Sequence, residues 1–542
     1  MAFDAIRKEL QRVVCTCYLA CPAVALCEGG KTLPLSDRSE GALTILRSFE
    51  IASYVNIAFR KEFYKLFTMR VEIFSSAVYI KTNQTNLRKT AMKIKFGIGR
   101  RCTNPELPIS LAGYFNKRMW DHVLDDIEVR AVAFKEDGEY SCIIQFDLLS
   151  INYFLYNFVF DAIKEIGLKG FSSKNVLICA THSHTCPDPF SDPNSMEYCR
   201  FIAGKAAEAL KEAVENMQKG ELFYTMTQDH RFQFNRRYWM KNGTVVTNPG
   251  KLNPDILRPE GEIDPQIPML AVKNDEGIAL LITSIVNHTD TIGGCGVSAD
   301  WPGFMRRKLE PTLAPGAMVL PFIGASGNIN HFDVSTDMNQ TCPDEPRRIG
   351  EGYAETVAAA LDSFVPAPGK KIRMVTAKVK SSPRIVDPAD VAEARAVVEK
   401  FKEIDTSQVG KGIDITSEDL AKGAPFALKF FAEKLLDLAE HPKVPNFLLT
   451  KIEFGSHVVL ASLPSEPFVE IGLTLRRSVF RDKFCIVTSH GNYNGGKEIF
   501  SGYIPNSWNY GRGGYETTPR SSNYGTDTAD VLIAKWRKLA LK

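Results

Sequence analysis

The sequence has no apolar run of the roughly 20 residues that a helix needs to cross a bilayer, and no block rich in lysine and arginine. The first absence leaves no predicted transmembrane segment. The second, with a formal net charge of only +3 over 542 residues, argues against a nucleic-acid partner. Cysteine is sparse: there are twelve, with no pair at C-x-x-C spacing, which excludes a disulfide scaffold and a zinc ribbon. Internal repeats, low-complexity tracts and heptad arrays are also missing. What is present is ordinary globular composition, 44% hydrophobic and 24% charged, in a chain long enough for two or three structural units.

The apolar stretch 13–27 carries four of the cysteines (Cys15, Cys17, Cys21, Cys27) and follows Arg7, Lys8 and Arg12, an order that resembles a short secretory signal. Pro22 interrupts it, and Asp4 and Glu9 dilute the positive charge before it. Location therefore stays open between cytoplasm and export. Residues 1–91 show no clear period and are expected to form an extension of unknown role, or to reflect a start misassigned upstream of Met92.

From Met92 the texture changes. KIKFGIGRR alternates apolar and polar residues before its glycines, as a strand entering a loop does, and SCIIQFDLLS is a second strand candidate. A helix is expected over 153–166, a buried strand over 175–180, a helix over 196–217, and buried strands over 278–286 and 317–323. The composition of 388–441 turns to Ala, Glu, Lys and Leu at helical spacing, a helical insertion, before strand pattern resumes over 447–463. Interleaved strands and helices predict an α/β fold of layered mixed β-sheets flanked by helices.

The strand ends deliver the polar residues. His182 and His184, set i,i+2, follow directly on the strand that ends at Ala180. Such a pair alone fits hydrogen-bonded histidines at a core edge as well as a metal site. A catalytic zinc takes three or four His and carboxylate ligands, often from distant strand ends. His288 in VNHTDT and Glu466 in LPSEP each follow an apolar strand pattern and are candidates of that kind.

Six segments resemble, in the same order, those of the neutral ceramidases. THSHTCP is similar to the family's THTHSGP motif, and VNHTDT to its second zinc-histidine segment. FGIGRRCTNPELPISLAGY resembles the domain's opening, FNRR at Phe234 to Arg237 its NRSP-type segment, GASGN at Gly324 to Asn328 its Ser-Gly-Asp segment, and LPSE its PGE segment. The tyrosines of GYIP and GYE, Tyr503 and Tyr515, stand twelve positions apart, like the family's tyrosine pair.

The resemblance implies a catalytic domain over 92–542 that cleaves an N-acyl amide, ceramide or a related N-acyl compound of lipid metabolism, with one Zn2+ per chain. It implies His182, His288, Glu466 and Tyr503 as metal ligands. His184, Arg236 and Tyr515 correspond to groups around the reacting carbonyl, and Ser326 to a substrate-binding residue. Amide hydrolysis needs such parts: an activated water, a polarised carbonyl, and donors for the oxyanion and the departing amine.

Three departures stand out. Asn328 replaces the family's Asp, Cys186 replaces a glycine before Pro187, and only 27 residues follow Tyr515, so no C-terminal β-sandwich domain is expected. A non-lipid amide or ester substrate, or a non-catalytic metal-binding role, are the alternative readings. Ser326 and His331 also suggest a Ser-His nucleophile pair, but GASGN lacks the G-x-S-x-G elbow and reads more simply as a loop of close backbone approach. His122, His230, His441, His457 and His490 are expected to be structural or exposed, and Cys186 a buried or lining thiol.

Overall fold

Side chains of the strand Glu128–Glu136 alternate between two cores: Val129, Ala131 and Ala133 enter one, Val132 and Phe134 the other. This is the period of two that a pleated strand imposes, and it means that the sheet is covered on both faces. A computed structural model describes residues 90–542 apart from 115, 408, 410–414, 416–418, 420–421 and 498–501. The expectations for 1–89, including the signal-like stretch, lie outside the described residues.

The large mixed sheet runs Met318–Ile323, Gly277–Ile285, Gln266–Asn274, Gln218–Gln228, Lys93–Cys102, Glu128–Glu136, Glu139–Phe146, Val176–Ala180. Its terminal pairs at each edge are parallel and the interior pairs antiparallel. A four-stranded sheet, Ile372–Lys380, Asn446–Phe454, Val458–Ser462 and Phe484–Thr488, packs against it face to face. Phe96, Phe134, Ile143 and Leu270 from the first meet Ile452, Phe454, Leu460 and Ile486 from the second in one core. Full burial of such side chains contributes about 1.5–3 kcal/mol each.

Helices close the outer faces. Tyr153–Glu165 and Ser195–Glu215 cover one part of the large sheet, Asp300–Leu309 and Glu345–Ala358 another, and Thr528–Ala540 covers the smaller sheet. Gly97 and Gly99 explain how close the second helix lies: a Cβ at either would collide with the carbonyls of Ala213 and Ala209. The α/β layering follows the expectation, and the insertion forms the helices Pro388–Lys400 and Pro425–Glu440. Asp387 caps the first, accepting from Ala389 N, with Pro388 at the first helical position.

Five strand ends bear on the site. Val176–Ala180 leads to His182, Gly277–Ile285 to His288, Met318–Ile323 to Ser326, Val458–Ser462 to Glu466 and Phe484–Thr488 to His490. Side chains link the strands Glu128–Glu136 and Glu139–Phe146 to Met318–Ile323 at the opposite end of the strand order: Gln145 Nε2 donates to the Pro321 carbonyl at 3.0 Å and Arg130 Nη1 to that of Val319 at 2.9 Å. Beyond the strands, His184 N donates to Thr289 O, and Thr289 Oγ1 to Thr181 O. These bonds bring the two histidine segments into contact. Among the described residues no helix is long and apolar enough to cross a membrane.

Candidate metal centre

The buried ring nitrogens of His182, His184 and His288 lie within 4.8 Å of one another. His182 Nε2 is 3.1 Å from His288 Nε2 and 3.3 Å from His184 Nε2. Hydrogen bonds on the far side of two rings settle what these atoms are. Nδ1–H of His182 donates to the Leu149 carbonyl at 2.8 Å and Nδ1–H of His184 to that of Gly113 at 3.1 Å. With the rings neutral, their Nε2 atoms are bare acceptors that face each other.

A carboxylate joins them. Glu466 Oε2 is 3.4 Å from His182 Nε2 and 3.8 Å from His288 Nε2, buried and without a hydrogen-bond partner among the described residues. His288 Nδ1 likewise has none. When these two rings are neutral, at most one N–H, from His288, points into this group, and at least three acceptor atoms converge on one point. Convergent buried acceptors repel unless a cation lies among them. Ligands about 2.0–2.1 Å from a tetrahedral zinc stand about 3.3–3.4 Å apart, close to the spacings here. The donor set fits zinc.

Burial pushes His184 and His288 well below the usual imidazole range, with His182 nearby adding to the effect, so both rings keep their lone pairs at neutral pH. Burial opposes ionisation of Glu466, but His182 and Arg236 outweigh it and hold the carboxyl below its usual range. The backbone also carries strain. His182 has φ 63°, and Ser465, just before Glu466, has φ 55°. Left-handed conformations cost of order 1–3 kcal/mol at non-glycine residues and cluster at functional sites.

The tyrosine and arginine candidates stand beside this group. Tyr503 pairs in register with Glu466 in a short parallel ladder, which presents both side chains on one side. The Arg236 guanidinium lies 4.8 Å from the Tyr503 ring centroid, and Tyr515 meets Tyr503 edge to face at 5.6 Å. Arg236 Nη2 donates to Gly327 O at 2.7 Å, and its Nε is 2.9 Å from Glu516 Oε1. Burial acts against the charge of Arg236, yet Tyr503 and Glu516 raise its pKa, so it stays cationic. Burial lifts both phenols, Tyr503 strongly, so they remain protonated donors at neutral pH in the metal-free site.

Ser326 lies buried in the loop that follows Met318–Ile323. No Ser-His pair forms there: His331 Nε2 donates to Gln340 O at 2.8 Å, and Nδ1 has no hydrogen-bond partner among the described residues. Gly327 N donates to Pro467 O, and a Cβ on Gly327 would collide with the Glu466 carbonyl, which accounts for the glycine. Asn328 Oδ1 accepts from Val469 N at 2.8 Å while its Nδ2 donates to Glu470 Oε2 at 3.1 Å. An aspartate could accept but not donate, so this departure is matched by a local acidic partner. Cys186 is buried, its thiol pushed well up by burial and 3.5 Å from Ser298 O, which suits an inert packing residue.

His490, expected to be structural or exposed, is buried beside the site, with its ring stacked on His182 at 4.0 Å between centroids and 15° between planes. Neither ring nitrogen has a hydrogen-bond partner among the described residues, and φ is 53°. No spacing in the sequence signals it. The parallel pairing of Phe484–Thr488 with Val458–Ser462 brings its segment beside that of Glu466, and His490 N donates to Ser465 O. Nothing in the sequence marks Glu516 as a partner of Arg236 either, although it adjoins Tyr515.

Among solved structures, the chain is similar to neutral ceramidase from Pseudomonas aeruginosa, with a TM-score of 0.60 and 17% identity over 83% of this chain and 74% of that one. It is also similar to a ceramidase complexed with C2, at TM-score 0.59 and 16% identity over the same shares. The chain has their fold. No family model matches the chain, and a search of curated proteins finds no match.

Proposed function

We propose that the chain is a zinc-dependent hydrolase of ceramidase type that cleaves an N-acyl amide, with ceramide or a related N-acyl lipid as the first substrate class. The observation that carries the reading is the convergence of bare Nε2 atoms from His182 and His184, His288 Nε2 and the unpartnered Glu466 Oε2. One zinc per chain is held by His182, His288 and Glu466, with His184 in the same group and Tyr503 on the strand paired to Glu466. Bound there, zinc supplies a hydroxide near neutral pH and polarises a carbonyl. The fold shared with the two ceramidase structures supports the substrate class.

The remaining chemistry belongs to this chain's side chains. An amide carbonyl gains negative charge as it becomes tetrahedral, and Arg236, fixed between Gly327 O and Glu516, offers a permanent cation to that charge. Tyr515 keeps its proton and can donate a hydrogen bond from its O–H to the oxyanion or transfer that proton to the departing nitrogen. Ser326 lies on the loop that Arg236 grips and contributes to substrate binding.

The test is metal content of the purified protein and of His182→Ala by elemental analysis, run beside hydrolysis of a panel of N-acyl substrates that includes a fluorescent short-chain ceramide. The expected result is one zinc per chain and turnover of the ceramide, both lost in the variant. Turnover by protein free of metal overturns the mechanism. Zinc without turnover of any N-acyl substrate overturns the reaction class and leaves a metal-binding protein.

A further inference from the structure

The segments that carry His182 and His288 are bonded to one helix, Asp300–Leu309. Trp301 Nε1 donates to the His288 carbonyl at 2.9 Å. Asp300, held at φ 56°, accepts from Thr291 N at 2.9 Å and from the Thr291 hydroxyl at 2.5 Å. The first turn of the helix therefore holds the His288 loop at two points.

Further along the same helix, Arg306 Nη1 and Nη2 donate to the two carboxylate oxygens of Asp147, at 2.9 and 2.5 Å. Asp147 Oδ1 also accepts from the Thr181 hydroxyl at 3.2 Å, and Oδ2 from Glu128 N at 2.8 Å. Thr181 directly precedes His182, and Leu149, two residues after Asp147, accepts the His182 Nδ1–H. Asp147 thus ties down both the backbone before His182 and the turn whose carbonyl orients its ring.

Trp301 and Arg306 are five residues apart, about 7.5 Å along a helix that rises 1.5 Å per residue. A helix is stiff over that length, so bonds at its two ends hold the two histidine segments at one separation. Trp301, Arg306, Asp147, Thr181 and Thr291 are all buried. A buried ion pair adds little stability over packed apolar side chains, but a bidentate one fixes distance and angle. Groups outside the ligand set that orient the ligands govern metal affinity in this way.

We infer that the helix Asp300–Leu309 sets the separation of His182 and His288 for the metal, with Trp301 and Arg306 as positioning residues. Trp301 acts through the His288 carbonyl, and Arg306 through Asp147 and Thr181. The inference rests on the metal reading of the site and extends it from the ligands to what spaces them.

The test is zinc affinity of the full chain, measured by competition with a chromophoric chelator, for the wild type, Trp301→Phe, Thr181→Val and Met305→Ala. Trp301→Phe keeps an aromatic ring and loses the N–H, and Thr181→Val loses only the hydroxyl that reaches Asp147. Met305, buried next to Arg306 in the same helix, contributes packing to the core. Loss of an outer partner costs about 10–100-fold in metal affinity. That loss is expected for Trp301→Phe and Thr181→Val, while Met305→Ala lowers the urea midpoint and keeps the wild-type affinity. Near-ultraviolet circular dichroism of the metal-free proteins checks folding, and Thr181→Val, the smallest change, decides if Trp301→Phe does not fold. Wild-type affinity in either folded variant overturns the inference, as does an equal loss in Met305→Ala, which would make the effect one of general stability. A wild type that binds no zinc overturns the metal reading itself, a result distinct from normal binding that the variants leave unchanged.

Discussion

Glu516 Oε1 lies 2.9 Å from Arg236 Nε, and both side chains are buried. The other oxygen is 2.7 Å from Arg237 Nη1 and accepts from Thr247 Oγ1 at 2.7 Å. Thr247 Oγ1 in turn accepts from Tyr515 N at 3.1 Å. One carboxylate therefore ties the tyrosine loop to the arginine that faces Tyr503. Breaking a buried pair by removing one partner costs about 3–5 kcal/mol, because the other charge stays uncompensated. Glu516→Ala is expected to lose about that much stability in urea unfolding, and Glu516→Gln, which keeps the shape and one acceptor, distinctly less. Equal stability of Glu516→Ala and wild type would show that Arg236 and Arg237 are satisfied by other groups.

Metal removal should be visible without any substrate. A ligand that binds only the folded state stabilises it by about 2.7 kcal/mol at a hundred times its dissociation constant. Chelation is expected to lower the melting temperature of the wild type, and added zinc to restore it. His288→Ala should melt at the same temperature with and without chelator. A chelator-insensitive wild type would leave the convergent nitrogens of His182, His184 and His288 without their cation.

In metal-free protein, stability should depend on pH in two separate windows. His184 and His288 have folded values well below the ordinary 6.5, because burial disfavours their charged form. The unfolded chain then takes up protons first as pH falls past about 6.5, so stability declines from there downward. Glu466 is held below its ordinary 4.5 despite burial, by His182 and Arg236. Its contribution is complete above that value and is lost only as pH falls through the lower folded value. Urea midpoints across pH 4–8 test this: a decline that begins below about 6.5 and is weaker in His184→Ala is the expected result, and a flat profile contradicts it.

Much of this organisation is legible in the sequence because it is local. VLICA reads as a buried strand from five apolar residues, and all five are buried. KIKFGIGRR reads as a strand from its alternation, and the strand spans Lys93–Cys102. The glycines before Tyr503 and Tyr515 have a local cause as well: Gly502 has φ 113° and Gly514 φ 87°, values that side chains resist. The partnerships of His490 and Glu516 are different in kind. His490 meets His182 only because the smaller sheet packs on the larger, and Glu516 meets Arg236 from a turn far along the chain; no periodicity records either. The left-handed backbone at His182 is equally silent, since none of its neighbours in THSHTCP is a glycine or asparagine that would announce such a turn.

The Asn328 departure allows a direct test of local compensation. Asn328 donates from Nδ2 to Glu470 Oε2 and accepts at Oδ1 from Val469 N, at the start of the helix Val469–Thr474. Burial already raises the pKa of Glu470, so its charged form is held at a cost that Asn328 partly offsets. Asn328→Asp keeps the acceptor, loses the donor and sets a second carboxylate against the first. Only the longer bond from Asn506 Nδ2, 3.5 Å, then remains on Glu470 Oε2, and removing a donor from a buried charged group costs about 1–3 kcal/mol. The expected loss in urea unfolding is of that size at pH 8 and shrinks as pH falls and one of the two carboxyls takes a proton. Adding Glu470→Gln to that variant should restore most of the stability, because the new amide can donate to the introduced carboxylate and the repulsion is gone. If Asn328→Asp is as stable as the wild type at pH 8, the pair is solvated, and the family's aspartate and this chain's asparagine are interchangeable at this position.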